Sequence, residues 1–196
     1  MKLTITSNQI KALLLTAGYK DVRAYLNGIA IDTTTAGRCY AVSTDGHRAT
    51  VINLLCEIED RTDGVYIIPR EMCEAVKAAK GSDVTIGIVG DAVSLAGVTT
   101  VSGKLCDGRF PDWRRIVPAT VTGETAQFNG EYLGEFYKAA KLLGVNRYGI
   151  VPIAHNGSGA ALVGLGPDAF GVCMPLRADN AVPLATPPEW LTAVAL

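Results

Sequence analysis

Three segments of the chain repeat one local pattern about 60 residues apart, and this repetition constrains the fold more than any other feature. Leu3-Thr4-Ile5-Thr6 runs into Ser7, Val65-Tyr66-Ile67-Ile68 into Pro69, and Ala126-Gln127-Phe128 into Asn129. Each is a short β-like run that meets a helix-start residue: Ser and Asn side chains can accept from the first free helical amides, and Pro fits the first turn. An amphipathic stripe follows each start: Ile10, Leu13, Leu14 and Ala17; Met72, Ala75, Val76 and Ala79; Tyr132, Phe136, Ala139 and Leu143. Gly18, Gly81 and Gly144 are expected to stop the three helices. The unit is strand, helix, several strands, written three times.

The strands after each helix are expected at 24–33, 39–42 and 49–57, then 83–89, 92–95 and 98–105, then 148–154, 161–165 and 170–175. Gly90-Asp91 is a strong hairpin signal. Connections this short join antiparallel strands and cannot hold crossover helices, so the class is α+β with antiparallel meanders. The last stretch, 178–196, carries Pro183, Pro187 and Pro188 and is expected as an extended tail with Trp190-Leu191 as an anchor.

With 196 residues and 48% apolar content the chain can bury a core without disulfide or metal staples. Eighteen Lys and Arg against nineteen Asp and Glu give a net charge of −1, which argues against a surface that grips nucleic acid everywhere and leaves room for a weak, local contact. No run is long and apolar enough to span a bilayer, the N-terminus lacks a signal-peptide core, and a cytoplasmic location without membrane contact is expected. Cys39, Cys56, Cys73, Cys106 and Cys173 form no CxxC pair and sit in apolar stretches, as reduced core residues would.

The common catalytic constellations are missing from the sequence. Gly97…Gly103-Lys104 has five intervening residues where a phosphate loop has four, and Leu105 stands where Ser or Thr should hold the metal. Gly164-Leu165-Gly166 lacks the third glycine of a dinucleotide fingerprint. His47 and His155 belong to no HExxH motif, there is no G-x-S-x-G, and His155 beside Asn156-Gly157 reads as an exposed turn. A non-catalytic protein with no cofactor and no metal is expected.

Two runs carry more information than generic strands: Tyr25-Leu26-Asn27-Gly28 leading to Ser43-Thr44-Asp45-Gly46-His47-Arg48, and Asp107-Gly108-Arg109-Phe110-Pro111-Asp112-Trp113-Arg114-Arg115-Ile116-Val117-Pro118. The first is consistent with a tight hairpin at Asp45-Gly46. The second is an irregular segment whose Phe110, Trp113 and Ile116, set among arginines, have the make-up of a docking surface. Together with Ile67-Ile68-Pro69-Arg70 these runs resemble, in order and spacing, the middle domain of the bacterial DNA polymerase III beta subunit family, the sliding clamps. Val172-Cys173-Met174-Pro175-Leu176-Arg177 resembles the ending of the same family. Trp113 stands where the family commonly has Tyr, and Ala49 where it usually has Leu.

The resemblance implies a DNA-clamp fold of three half-domain repeats: a complete middle-type domain at 1–118, a half domain at 119–177, and the tail at 178–196. It implies a peptide-binding groove formed by Leu26, Thr44, Gly46, His47, Arg48, Pro111, Arg115, Ile116, Val172, Met174, Pro175, Leu176 and Arg177. Apolar members would floor the groove, Arg115 and Arg177 would meet carbonyls or an acid at its rim, and Ala49 would widen a subsite. Partners in the family are polymerases and clamp loaders, docking through short linear motifs. The family also encircles duplex DNA with its helices lining the hole, which points to Lys11, Lys20, Arg23, Arg70, Lys77, Lys80, Lys138 and Lys141 as DNA-facing cations. A family subunit has six such units and two subunits close a twelve-unit ring. Three units per chain would require self-association as a tetramer for a ring of that size, or cover for the unpaired third unit from the tail. The implied function is a ring-forming processivity factor; the alternative is an adaptor or decoy that binds clamp-motif peptides without encircling DNA.

Overall fold

The computed structural model describes residues 1–145, 148 and 150–183. Its strands are β1 (Lys2–Thr6), β2 (Gly28–Asp32), β3 (Tyr40–Thr44), β4 (Arg48–Asn53), β5 (Val65–Pro69), β6 (Asp83–Val89), β7 (Ala92–Ala96), β8 (Thr100–Lys104), β9 (Ile153–Ala154), β10 (Ala161–Gly164) and β11 (Ala169–Cys173). Its helices are α1 (Ser7–Leu14), α2 (Arg70–Ala75) and α3 (Gly130–Leu142). A four-stranded sheet runs β1-β6-β7-β8 and a seven-stranded sheet runs β5-β2-β3-β4-β11-β10-β9, all neighbours antiparallel.

The first strand of each of the first two units crosses to the other unit's sheet: β1 pairs with β6, Ile5 opposite Val84, and β5 pairs with β2, Ile68 opposite Ile29. The third unit joins the first, not the second. Its β11 pairs with β4, Val172 opposite Ala49 and Phe170 opposite Val51, so two units share one uninterrupted sheet. Beneath it α3 packs on α1, burying Phe136, Ala139 and Ala140 with Ala12, Val163 and Cys173. The helix face of the third unit is therefore covered within the chain. Gly171 makes this possible, because a Cβ there would sit 2.4 Å from the Phe136 ring. The larger core lies between the sheets, with Ile10 and Leu13 of α1 and Met72 and Cys73 of α2 packed among Leu3, Ile5, Ile31, Ile52, Ile86 and Leu95.

Several boundaries differ from the sequence expectation. The cap of α1 is Thr6 and not Ser7: Thr6 accepts from the Gln9 amide and the Gln9 side chain accepts from the Thr6 amide, a reciprocal box. Ser7 instead ties distant segments, donating to the Ala79 carbonyl at 2.7 Å and accepting from the Gly81 amide at 2.9 Å. Regular helix α1 ends at Leu14, with turns carrying the chain to Gly18. Helix α2 stops at Ala75 and does not reach Gly81. Val76 is extended (ψ 124°), and the Lys77 carbonyl is taken by the Val98 amide at 2.7 Å, so the tight turn after β7 captures backbone that a longer helix would use internally. Residues 24–26 form a 3₁₀ turn before β2. The run 126–128 forms no strand, and only Ile153–Ala154 of 148–154 pairs in a sheet. His155 is half-buried, its Nδ1 accepting from the Ala126 amide at 3.2 Å beside the Phe128 ring. The anchor expected at Trp190-Leu191 lies outside the described residues.

Cys39, Cys73 and Cys173 are buried, and Cys56 and Cys106 half-buried. Burial pushes the Cys73 thiol up to about 12 and the Cys173 thiol up to about 11. Among the described residues no group of His, Cys, Asp and Glu is arranged to hold a metal ion, and no helix is long and apolar enough to cross a membrane.

Candidate functional site

The β3–β4 connection is a tight turn built by its own side chains. Thr44 Oγ1 donates to the Arg48 carbonyl (2.7 Å) and accepts from the Gly46 amide (3.0 Å), while Asp45 Oδ1 accepts from the His47 and Arg48 amides. Gly46 has φ 95°, a conformation that favours glycine. The turn is bound to the third unit where the seven-stranded sheet ends its β4–β11 ladder: the Met174 amide donates to the His47 carbonyl at 2.9 Å. Two residues on, the Leu176 amide donates to the Gln127 carbonyl at 2.8 Å.

A cavity of about 810 Å³ opens between these two walls, lined by Gly46 and His47 on one side and by Met174, Pro175, Leu176 and Arg177 on the other. Asn129 and Tyr132 at the start of α3, with Ser158, Asp179 and Asn180, complete it. Met174 is 42% and Leu176 40% exposed, so two apolar side chains of one wall stand open to a ligand. Behind the cavity Arg48 is held by three groups: Asp45 at 2.9 Å, Glu135 of α3, and the Tyr132 ring 4.1 Å from its guanidinium carbon. This ion pair and cation–π contact, with His47 stacked 6.4 Å from Tyr132, fix the first unit's turn against the third unit's helix. Burial pushes the Tyr132 phenol up. An exposed thioether, a leucine, a tyrosine face and polar rim groups can hold a short extended peptide.

Thus Gly46, His47, Met174, Pro175, Leu176 and Arg177 come together from distant positions, with Thr44 and Arg48 supporting them from behind. Leu26 and Val172 are sealed at 1% exposure, and Ala49, facing Val172 in register, is equally closed, so the wider subsite expected at Ala49 is not open here. Pro111 lines a separate hollow of about 490 Å³ with Asp32, Arg109, Phe110 and Trp113. Arg115 and Ile116 lie exposed on a 3₁₀ turn, Trp113–Ile116, outside the residues that line the larger cavity. Sequence reasoning missed Asn129, Tyr132, Ser158, Asp179 and Asn180. Tyr132 was legible only as part of the apolar stripe of α3.

The segment bearing Arg115 and Ile116 is latched to the sheet by Asp32. This carboxylate is 2% exposed and accepts from Trp113 Nε1 (2.8 Å), Arg114 (2.7 Å) and Thr34 Oγ1 (2.6 Å). Burial alone would raise its pKa, but the hydrogen bonds from Arg114, Thr34 and Trp113 outweigh it and hold the carboxyl below 3.8. Trp113, read in the sequence as a docking aromatic, packs inward against Tyr40 and Phe170 with Arg114 over its ring.

The candidate DNA-facing cations separate into two sets. Lys11, Lys20, Lys138 and Lys141 are exposed on or beside α1 and α3. Lys77 and Lys80 are exposed on coil, so they are not a helical pair. Arg23 is bound to Asp21 through two contacts, 3.0 and 2.7 Å, which hold the Asp21 carboxyl down at about 2. Arg70 is spent on structure: its guanidinium donates to the Leu14, Ala17 and Gly18 carbonyls at 3.0–3.1 Å and to Glu74 at 2.8 Å, closing the C-terminus of α1.

The family described as DNA polymerase III beta subunit, central domain, matches residues 2–112. The chain belongs to this sliding-clamp family. It is 31% identical to the beta sliding clamp of Haemophilus influenzae over 142 residues, 70% of this chain and 38% of that protein. It is 31% identical to the beta sliding clamp of Vibrio cholerae over 169 residues, 80% of this chain and 45% of that one. The chain thus spans less than half the length of these relatives. The fold is similar to the DNA polymerase III subunit beta of Pseudomonas aeruginosa (TM-score 0.66, 19% identity, 90% of this chain and 66% of that one). It is similar also to the sliding clamp of Bacillus subtilis (TM-score 0.67, 13% identity, 91% and 64%).

Proposed function

We propose that this chain is a non-catalytic clamp-type processivity factor: it binds short linear peptides of polymerase and clamp-loader proteins in the Gly46–Arg177 cavity and self-associates into a ring around duplex DNA. The observation that carries the reading is the cavity itself, formed where the β3–β4 turn meets the chain after β11 and fixed by the Met174–His47 backbone bond. Both walls come from one chain, so the groove needs no second copy.

Ring formation is supported by edge strands such as β8 of the four-stranded sheet and β9 of the seven-stranded sheet, which pair with no further strand among the described residues, and by the exposed lysines of α1 and α3. A few weak phosphate contacts suit a ring that must move, since topology retains it while charge only centres it. The test has two arms. A fluorescein-labelled acidic–apolar pentapeptide should bind the chain in a polarisation assay and lose about tenfold or more in affinity with Met174→Ala, because hot-spot truncations commonly cost at least about 1.4 kcal/mol. Light scattering should give an oligomeric mass, and the protein should be retained on nicked circular DNA and lost from linear DNA. A monomer that still binds the peptide would leave the adaptor reading in place of the ring; unchanged peptide affinity in Met174→Ala would refute the groove.

A further inference from the structure

The chain leaves the described structure on the wall of its own groove. After Arg177, Asp179 and Asn180 still line the cavity. Val182 is then held twice by Gln127: its amide donates to Gln127 Oε1 at 3.0 Å, and Gln127 Nε2 donates to its carbonyl at 2.5 Å. This amide pair fastens an otherwise exposed backbone to the same residue whose carbonyl receives Leu176. Residues 184–196 therefore follow a point fixed to Gln127, Val182, two residues after the last cavity-lining position, Asn180. Fully extended they reach about 43–47 Å, ample to fold back across a pocket of this size.

Their chemistry matches what the groove offers. The segment 184–196 contains no Lys or Arg and one acid, Glu189, directly before Trp190-Leu191. The groove presents exposed Met174 and Leu176, a Tyr132 face, and Arg177, which has no ion-pair partner among the described residues. Arg48, the other cation nearby, is occupied by Asp45 and Glu135, so Arg177 is the group left to receive a carboxylate.

We propose that Leu184–Leu196 is a tethered ligand of the chain's own groove, with Trp190 and Leu191 on the Met174–Leu176 surface and Glu189 toward Arg177, so that a partner peptide must displace it. The inference rests on the groove reading given above. A short flexible tether supplies an effective concentration of about millimolar order, so a segment with an intrinsic Kd of about 100 μM would occupy the groove about nine-tenths of the time and weaken a competing peptide about tenfold.

The experiment uses the full chain and a full-chain variant, Trp190→Ala/Leu191→Ala, whose changes lie outside the described residues. The probe is a fluorescein-labelled synthetic peptide of residues 184–196, read by polarisation. The variant should bind the probe about tenfold more tightly than the parent, and adding Met174→Ala to the variant should abolish the gain. Equal affinity of parent and variant, with binding still lost in Met174→Ala, would overturn the tethered ligand while leaving the groove reading intact. If neither protein binds this probe or the acidic–apolar pentapeptide at millimolar concentration, both readings fall. A parent mass that drops to a smaller species in the variant would also overturn it, because the segment would then be docking on a second copy.

Discussion

Replacing Asp32 by Ala removes the acceptor that three groups share and tests whether the segment 107–118 is truly latched to the sheet. The substitution leaves the Trp113 indole N–H and the Arg114 guanidinium facing a buried site with no anion. Breaking a fully buried pair costs about 3–5 kcal/mol, but the Arg114 side chain is 38% exposed and can turn to water, so about 2–4 kcal/mol is the fitting range. For a chain of this size that lowers Tm by roughly 4–16 °C. Urea unfolding followed by tryptophan emission reads both the stability and the loosening of Trp113. Asp32→Asn keeps an acceptor for the indole and should lose about half as much. The pH dependence has a definite sign: the folded-state pKa is depressed, so this stabilisation is complete above the ordinary value of 3.8 and disappears as the pH falls below it. An Asp32→Ala protein within about 0.5 kcal/mol of the parent, the scatter of ordinary surface changes, would refute the latch.

Arg70→Ala should destabilise by about 1–3 kcal/mol in thermal unfolding, since three helix-end carbonyls lose a charged donor, and a loss of DNA retention at temperatures where the variant remains folded would contradict the structural role. Lys138→Glu/Lys141→Glu should do the reverse, leaving Tm within a few degrees while weakening retention on circular DNA and making the remaining retention less sensitive to salt, because fewer phosphates are neutralised. Gly171→Ala should cost about 1–3 kcal/mol or prevent folding, because its methyl would meet the Phe136 ring at 2.4 Å; a Phe136→Leu change that restores stability to the double variant would identify the clash as the cause.

The repeat, the antiparallel class and the hairpin at Gly90-Asp91 were legible because capping residues and alternation are local signals, and β6 matches its expected run residue for residue. The end of α2 was not, because Gly81 is a sound stop signal and only the distant turn 97–99 competes for the Lys77 carbonyl. Arg70 read as a cation on a helix surface; that its guanidinium points at another helix's end is a tertiary fact. Asp32 is the clearest omission, a carboxylate in a fully buried strand whose Trp113 and Arg114 partners stand more than 80 residues away. In the groove, the residues carried by family resemblance supplied both backbone walls, whereas Tyr132 and Asn129 belong to a helix start whose pattern speaks only of capping and packing.

The β4–β11 ladder also sets a timetable for biosynthesis. Strand β4 is complete at residue 53, but the strand that covers its edge ends at Cys173, 120 residues later. At about 5–20 residues per second the ribosome leaves that edge open for about 6–24 s, during which the first two units can already pack around their exchanged strands. Until then the β4 edge presents unpaired backbone N–H and C=O groups beside buried apolar side chains. The hairpin β10–β11 acts as the seal, and any stall or truncation before Gly171 would release a product with a sticky margin where the longer chain has an interior seam.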